Sequence, residues 1–126
     1  MKTVIIVAFV ALNTAIFGYI GYEVAFASAD DAAKEGLALN IYRSFLYIEI
    51  IIVASWMLIG WSALKGRLEL FKASSWFYLG FLICDGIISH QMSVVAGDAV
   101  FTPASLVLVA LQCGFLVWAY KKVDWR

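Results

Sequence analysis

The sequence predicts an all-α fold, a transmembrane four-helix bundle whose successive helices run antiparallel, and three observations predict it. The chain is 64% hydrophobic and only 14% charged, against about half apolar and about a quarter charged in a typical soluble domain; its mean hydropathy is +0.92. The apolar residues collect into four continuous runs, at about 3–27, 41–64, 75–97 and 103–120, each near or above the roughly 18 residues that mark a spanning helix. The basic residues are sorted onto one side of those runs. Lipid leaves only helices or closed barrels as ways to satisfy every backbone group, and continuous rather than alternating apolar runs exclude a barrel. Four crossings of about 20 residues use most of the 126 residues, so a single integral membrane domain, 1–126, is expected.

The first run opens with Met1-Lys2 and closes on Ala25-Phe26-Ala27 before Ser28, the layout of a secretory signal with a small-residue cleavage site. Its apolar core is longer than the usual 7–15 or so residues of a signal, and Asn13 and Glu23 interrupt it, so an uncleaved first helix is expected. A stripe of small residues, Ala11, Ala15 and Gly18 with Gly21 and Ala25 slightly off the line, permits close helix approach. It is expected to pack against the second or fourth helix, with a partner chain or a second copy as the other reading. The Ala-rich stretch 28–40 carries scattered charge and predicts a short amphipathic turn. The third helix is expected to be capped by Ser74 or Ser75, with Trp76 and Tyr78 at the membrane interface, and to end at Gly97-Asp98. Thr102-Pro103 then reads as an N-cap followed by proline at the first helical position. The connection is about five residues, which makes the third and fourth helices antiparallel neighbours.

Topology follows from charge. Lys2, the group Lys65, Arg67 and Lys72, and the group Lys121, Lys122 and Arg126 make seven of the nine basic residues and fall on one side; Lys34 and Arg43 fall on the other, with Asp30, Asp31, Glu35 and Asp98. Positive charge stays in the cytoplasm, so both termini and the middle loop are expected there.

At matched depth the polar residues form two layers. Asn13, Asp85 and Gln112 fall near the midplane, and Glu49 and His90 lie about 7 Å further out at 1.5 Å rise per residue. An ionisable group at such depth costs roughly 2.5–3.5 kcal/mol and should face the bundle interior. Glu49 and His90 are the natural pair, either as a clamp between the second and third helices or as a proton-accepting or ligand-anchoring site. Asp85 lies about 140° round the helix from His90, in line with Ser89. Without a cation beside it, Asp85 is expected to be protonated and to share hydrogen bonds with Asn13 or Gln112.

Other chemistries find little footing. One histidine cannot supply bis-His haem ligation, and Cys84 and Cys113 are isolated, where a free cysteine commonly behaves as a small hydrophobe; no cofactor or metal is expected. There is no glycine-rich phosphate loop, nucleophile elbow or HExxH. Topology accounts for the basic residues, so nucleic acid is not an expected partner. What remains is a non-enzymatic accessory or scaffolding subunit, its partners the lipid bilayer and a larger membrane complex or copies of itself. The alternative is a small proton-coupled transporter or channel using Glu49, Asp85 and His90. A membrane redox or lipid-modifying enzyme would need a catalytic constellation that the residues do not offer.

The stretch "YRSFLYIEIIIVASWMLIG", residues 42–60, and the hinge from Gly97-Asp98 to Thr102-Pro103 resemble the DoxX-like group of small bacterial membrane proteins. That resemblance covers most of the chain as a pattern of hydropathy and loops. It implies a four-helix protein of the bacterial inner membrane with both ends inside, in an accessory role beside redox or energy-transducing complexes, and assigns no functional residue.

Overall fold

A computed structural model of the chain describes residues 1–34, 36, 38–96 and 103–126. It contains α1 (Lys2–Ala25), α2 (Ala29–Lys34), α3 (Leu39–Leu64), α4 (Leu68–Ala96) and α5 (Pro103–Lys122), and no strand among the described residues. Four of these helices, α1, α3, α4 and α5, are long and apolar enough to cross a membrane.

Helix boundaries come from specific caps. The short α2 lies in the stretch expected to form an amphipathic turn, and a reciprocal capping box starts it. The Ser28 amide donates to Asp31 Oδ2 at 2.9 Å and the Asp31 amide donates to Ser28 Oγ at 3.2 Å, satisfying two amides that a helix start otherwise leaves open. α3 ends in a Schellman turn: Gly66 has φ +67°, its amide donates to Ala63 O, and the Arg67 amide donates to Ser62 O at 2.9 Å. Glycine is the residue that enters this left-handed region without a Cβ penalty.

The expected start of the third long helix is corrected by this turn. α4 begins at Leu68, because the Arg67 carbonyl at once accepts the Phe71 amide at 3.0 Å. Ser74 and Ser75 are therefore buried interior residues rather than caps, and Ser74 Oγ donates back to Leu70 O at 2.8 Å. The extra turns escape a hydropathy reading because Arg67, Glu69 and Lys72 point outward there while Phe71 points into the core. α1 ends at Ala25, where the Phe26 amide closes onto Tyr22 O. Pro103 is the first residue of α5; the expected Gly97-Asp98 stop, the connecting loop and the Thr102 cap lie outside the described residues, as do Glu35 and Leu37.

Packing is uneven along the molecule. The core gathers Ile6, Trp56, Ile59, Phe71, Tyr78 and Phe115 with their neighbours, all toward the end where Lys2, Gly66 and Arg126 meet. Phe9 stacks on Phe115 at 4.3 Å between ring centroids, and Trp56 stands edge-on to Phe9 at 5.4 Å and to Tyr78 at 5.1 Å. Offset and edge-on aromatic contacts of this kind add about 0.5–1.5 kcal/mol each beyond burial. α1 presses on α3 so closely that a Cβ on Gly60 would lie 2.5 Å from Val10 Cγ2, and a β-branched valine has little rotamer freedom with which to yield. Toward the other end the packing thins. Leu39–Ile51 of α3, Leu79–Gln91 of α4 and Pro103–Leu111 of α5 contain no fully buried residue, and α1 there buries only Gly21 and Val24. The molecule thus has a closed half and an open half.

Candidate functional site

Two polar features sit on this frame, one in each half. At the inner edge of the closed half, Asn13 of α1, Tyr78 of α4 and Gln112 of α5 are essentially removed from solvent. Tyr78 Oη donates to Gln112 Oε1 at 2.8 Å, Gln112 Nε2 donates to Asn13 Oδ1 at 2.7 Å, and Asn13 Nδ2 donates to Phe9 O at 2.9 Å. The chain of donors runs in one direction and joins three helices. Amide nitrogens do not exchange protons readily, so this relay fixes helix register and does not conduct protons. Trp56 closes it from α3, its indole Nε1 buried without a hydrogen-bond partner.

The sequence placed Asn13 and Gln112 at one depth, and the structure brings them into direct contact. Tyr78, read from sequence as an interfacial anchor, is fully buried instead. The cause is the earlier start of α4, which carries Tyr78 about three turns into the helix. Phe71, Ser74, Ser75 and Tyr78 are the buried residues of α4 over Leu68–Gln91, and their helical spacing is the signal that could have revealed the inward face.

The second feature lies in the open half. Glu49 of α3 is partly buried, its Cβ side against Gly21 of α1, where an added Cβ would lie 3.3 Å away. Its Oε2 is buried and has no hydrogen-bond partner, so the expected Glu49–His90 contact is not made through that oxygen. The carboxyl stands within electrostatic range of Asp85 on α4. Asp85 is also partly buried, on the same line of its helix as Ser89, the alignment expected from helix periodicity. Tyr78 occupies the place beside Gln112. His90 is exposed further along α4.

The small-residue stripe faces outward. Ala11, Ala15 and Gly18 are exposed, and nothing lies within 4 Å of a Cβ built on Gly18. Packing of α1 within the chain runs through Val10 and Gly60 and through Gly21 with Leu46 and Glu49. Gly18, Gly21 and Ala25 line an apolar groove of about 430 Å³ between α1 and α3, closed on the other side by Leu46, Val53 and Met57. Cys84 is exposed, Cys113 is partly buried, and neither is in a disulfide. Among the described residues no three His, Cys, Asp or Glu side chains converge on a common point.

Fold and site together define a small helical chain with four helices able to cross a membrane, one half of it packed and the other open around two carboxyls. Comparison with protein-family models, with curated proteins and with solved structures finds no match to this chain.

Proposed function

We propose that the chain is a non-enzymatic integral membrane subunit, an antiparallel bundle with both termini cytoplasmic, whose open half seats a transmembrane segment of a larger complex or of a second copy. The observation that carries this reading is the uneven core: among the described residues, three of the four long helices bury none completely over their open-half stretches. Bare hydrocarbon is a poor cover for that half. Glu49 and Asp85 lie in it, and an ionisable group facing lipid costs roughly 2.5–3.5 kcal/mol. The exposed Ala11, Ala15 and Gly18 offer the close approach by which helices associate in membranes. The DoxX-like pattern points to the same accessory role in a bacterial inner membrane, and the distribution of Lys and Arg supports the inward termini.

A second reading has its own observation. The buried, unpartnered Glu49 Oε2 near Asp85 is what a proton-coupled transporter would place in a half-open bundle. One pair of variants separates the two. For a subunit, Glu49→Gln and Asp85→Asn change the yield of the co-purified assembly in mild detergent and give no pH-driven flux to lose. For a transporter, liposomes carrying the chain show pH-driven flux that both variants abolish while assembly persists. Stoichiometric co-purification without flux supports the subunit; flux with no co-purifying chain overturns it.

A further inference from the structure

At the closed end the chain builds a basic cleft that neither the relay nor the open half uses. The Schellman turn between α3 and α4 presents Lys65 and Arg67 on either side of Gly66. The tail after α5 is clamped onto the same turn: the Arg126 amide donates to Gly66 O at 2.8 Å, and the Trp125 ring packs on Phe71 at 4.9 Å while its indole donates to Tyr120 O. The fit leaves no room at Gly66, where a Cβ would lie 2.8 Å from the Asp124 carbonyl and 3.3 Å from Arg126 Cγ. Arg126 is thereby held beside Lys65 and Arg67, and the three line a cleft of about 530 Å³.

The carboxylate among its lining residues, Glu69, already has Lys72 at 3.4 Å. In the adjoining recess Asp124 is likewise held by Lys2 at 3.5 Å. The cleft therefore offers three cations to an anion. Its depth in a bilayer is marked by Trp61, 45% exposed, with the Arg67 guanidinium 5.7 Å above its ring. An exposed tryptophan under an arginine is the pattern of the headgroup boundary, and basic pockets at the ends of membrane helices bind anionic headgroups.

We propose that this cleft seats the phosphate headgroup of an anionic membrane lipid. Charge complementarity selects the phosphate, and the adjoining apolar flank at Trp61 selects a lipid over a free anion. The proposal rests on the membrane-spanning reading and is independent of helix docking in the open half.

The test offers the full chain, purified in a non-ionic detergent, equimolar phosphatidylglycerol and phosphatidylcholine, and reads retained lipid by native mass spectrometry. The wild-type chain should retain phosphatidylglycerol preferentially. Each basic residue near an anionic headgroup is worth a factor of about five, so Arg126→Gln should lower the preference about fivefold without touching the turn. Adding Lys65→Ala and Arg67→Ala should abolish it, while Lys121→Ala with Lys122→Ala should leave it unchanged. No preference in the wild-type chain overturns the proposal. So does an equal loss on removing Lys121 and Lys122, which would mean diffuse charge, and so does stripping of the lipid by millimolar inorganic phosphate, which would mean a free-anion site. A chain that purifies alone but keeps the preference contradicts only helix docking; a complex without the preference contradicts only the lipid site.

Discussion

Gln112 is the residue on which the closed half turns, because its amide is bonded to two other helices, one through each end. Gln112→Leu preserves bulk and leaves Tyr78 Oη and Asn13 Oδ1 buried without partners. Orphaned buried polar groups cost about 1–3 kcal/mol each, whereas interhelical hydrogen bonds in membranes average only about 0.6 kcal/mol because the separated helices find other partners. The two groups together should lower stability by about 1–3 kcal/mol in a reversible detergent-unfolding measurement. A loss indistinguishable from zero would show that the relay is not holding the helices. Asn13 and Gln112 were legible in the sequence because a polar residue at mid-depth has few places to go except toward another. Tyr78 was not, since a tyrosine among Trp76, Phe77 and Phe81 looks the same at an interface as in a core until the helix start is known.

Among the elements, caps and turns decide more than hydropathy. The continuous apolar runs located all four long helices, yet Leu68–Ser74 was invisible to that reading, because its charged residues face outward while Phe71 and the polar Ser74 pack inward. Gly66 was the available clue, a glycine placed to end one helix and start the next. The capping box of α2 supplies a pH test outside the membrane. Hydrogen bonds from the Ser28 amide and hydroxyl hold the Asp31 carboxyl below its ordinary value of 3.8, against a weaker opposing effect of burial and with a lesser contribution from Lys34 in the same direction. A depressed folded-state value means that the ionised carboxylate stabilises the cap above the ordinary aspartate range and that this is lost as pH falls through the lowered value. The Ser28 amide resonance should titrate with a midpoint below 3.8, and Asp31→Asn should remove the transition. A midpoint at or above 3.8 would show that the box does not form.

On the scale of the whole molecule, composition and the sorting of Lys and Arg carried the membrane reading, and those survive any error in helix ends because they are sums over many residues. The division into a closed and an open half could not be read that way. It depends on which residues of α3, α4 and α5 meet, and apolar runs that are greasy on every face carry no periodicity to say so. The small-residue stripe shows the same limit: its spacing announced close packing but not with whom, and within the chain Val10 and Gly60 make the approach while Gly18 stays open. The central claim is that the open half is completed by another transmembrane segment. Its most direct measurement is the protein mass of the particle released from native membranes with its surrounding lipid retained. The account predicts a stoichiometric particle heavier than the 14.0 kDa of one chain, containing either a second copy or a further membrane protein. A particle holding a single 14.0 kDa chain and lipid alone would contradict it.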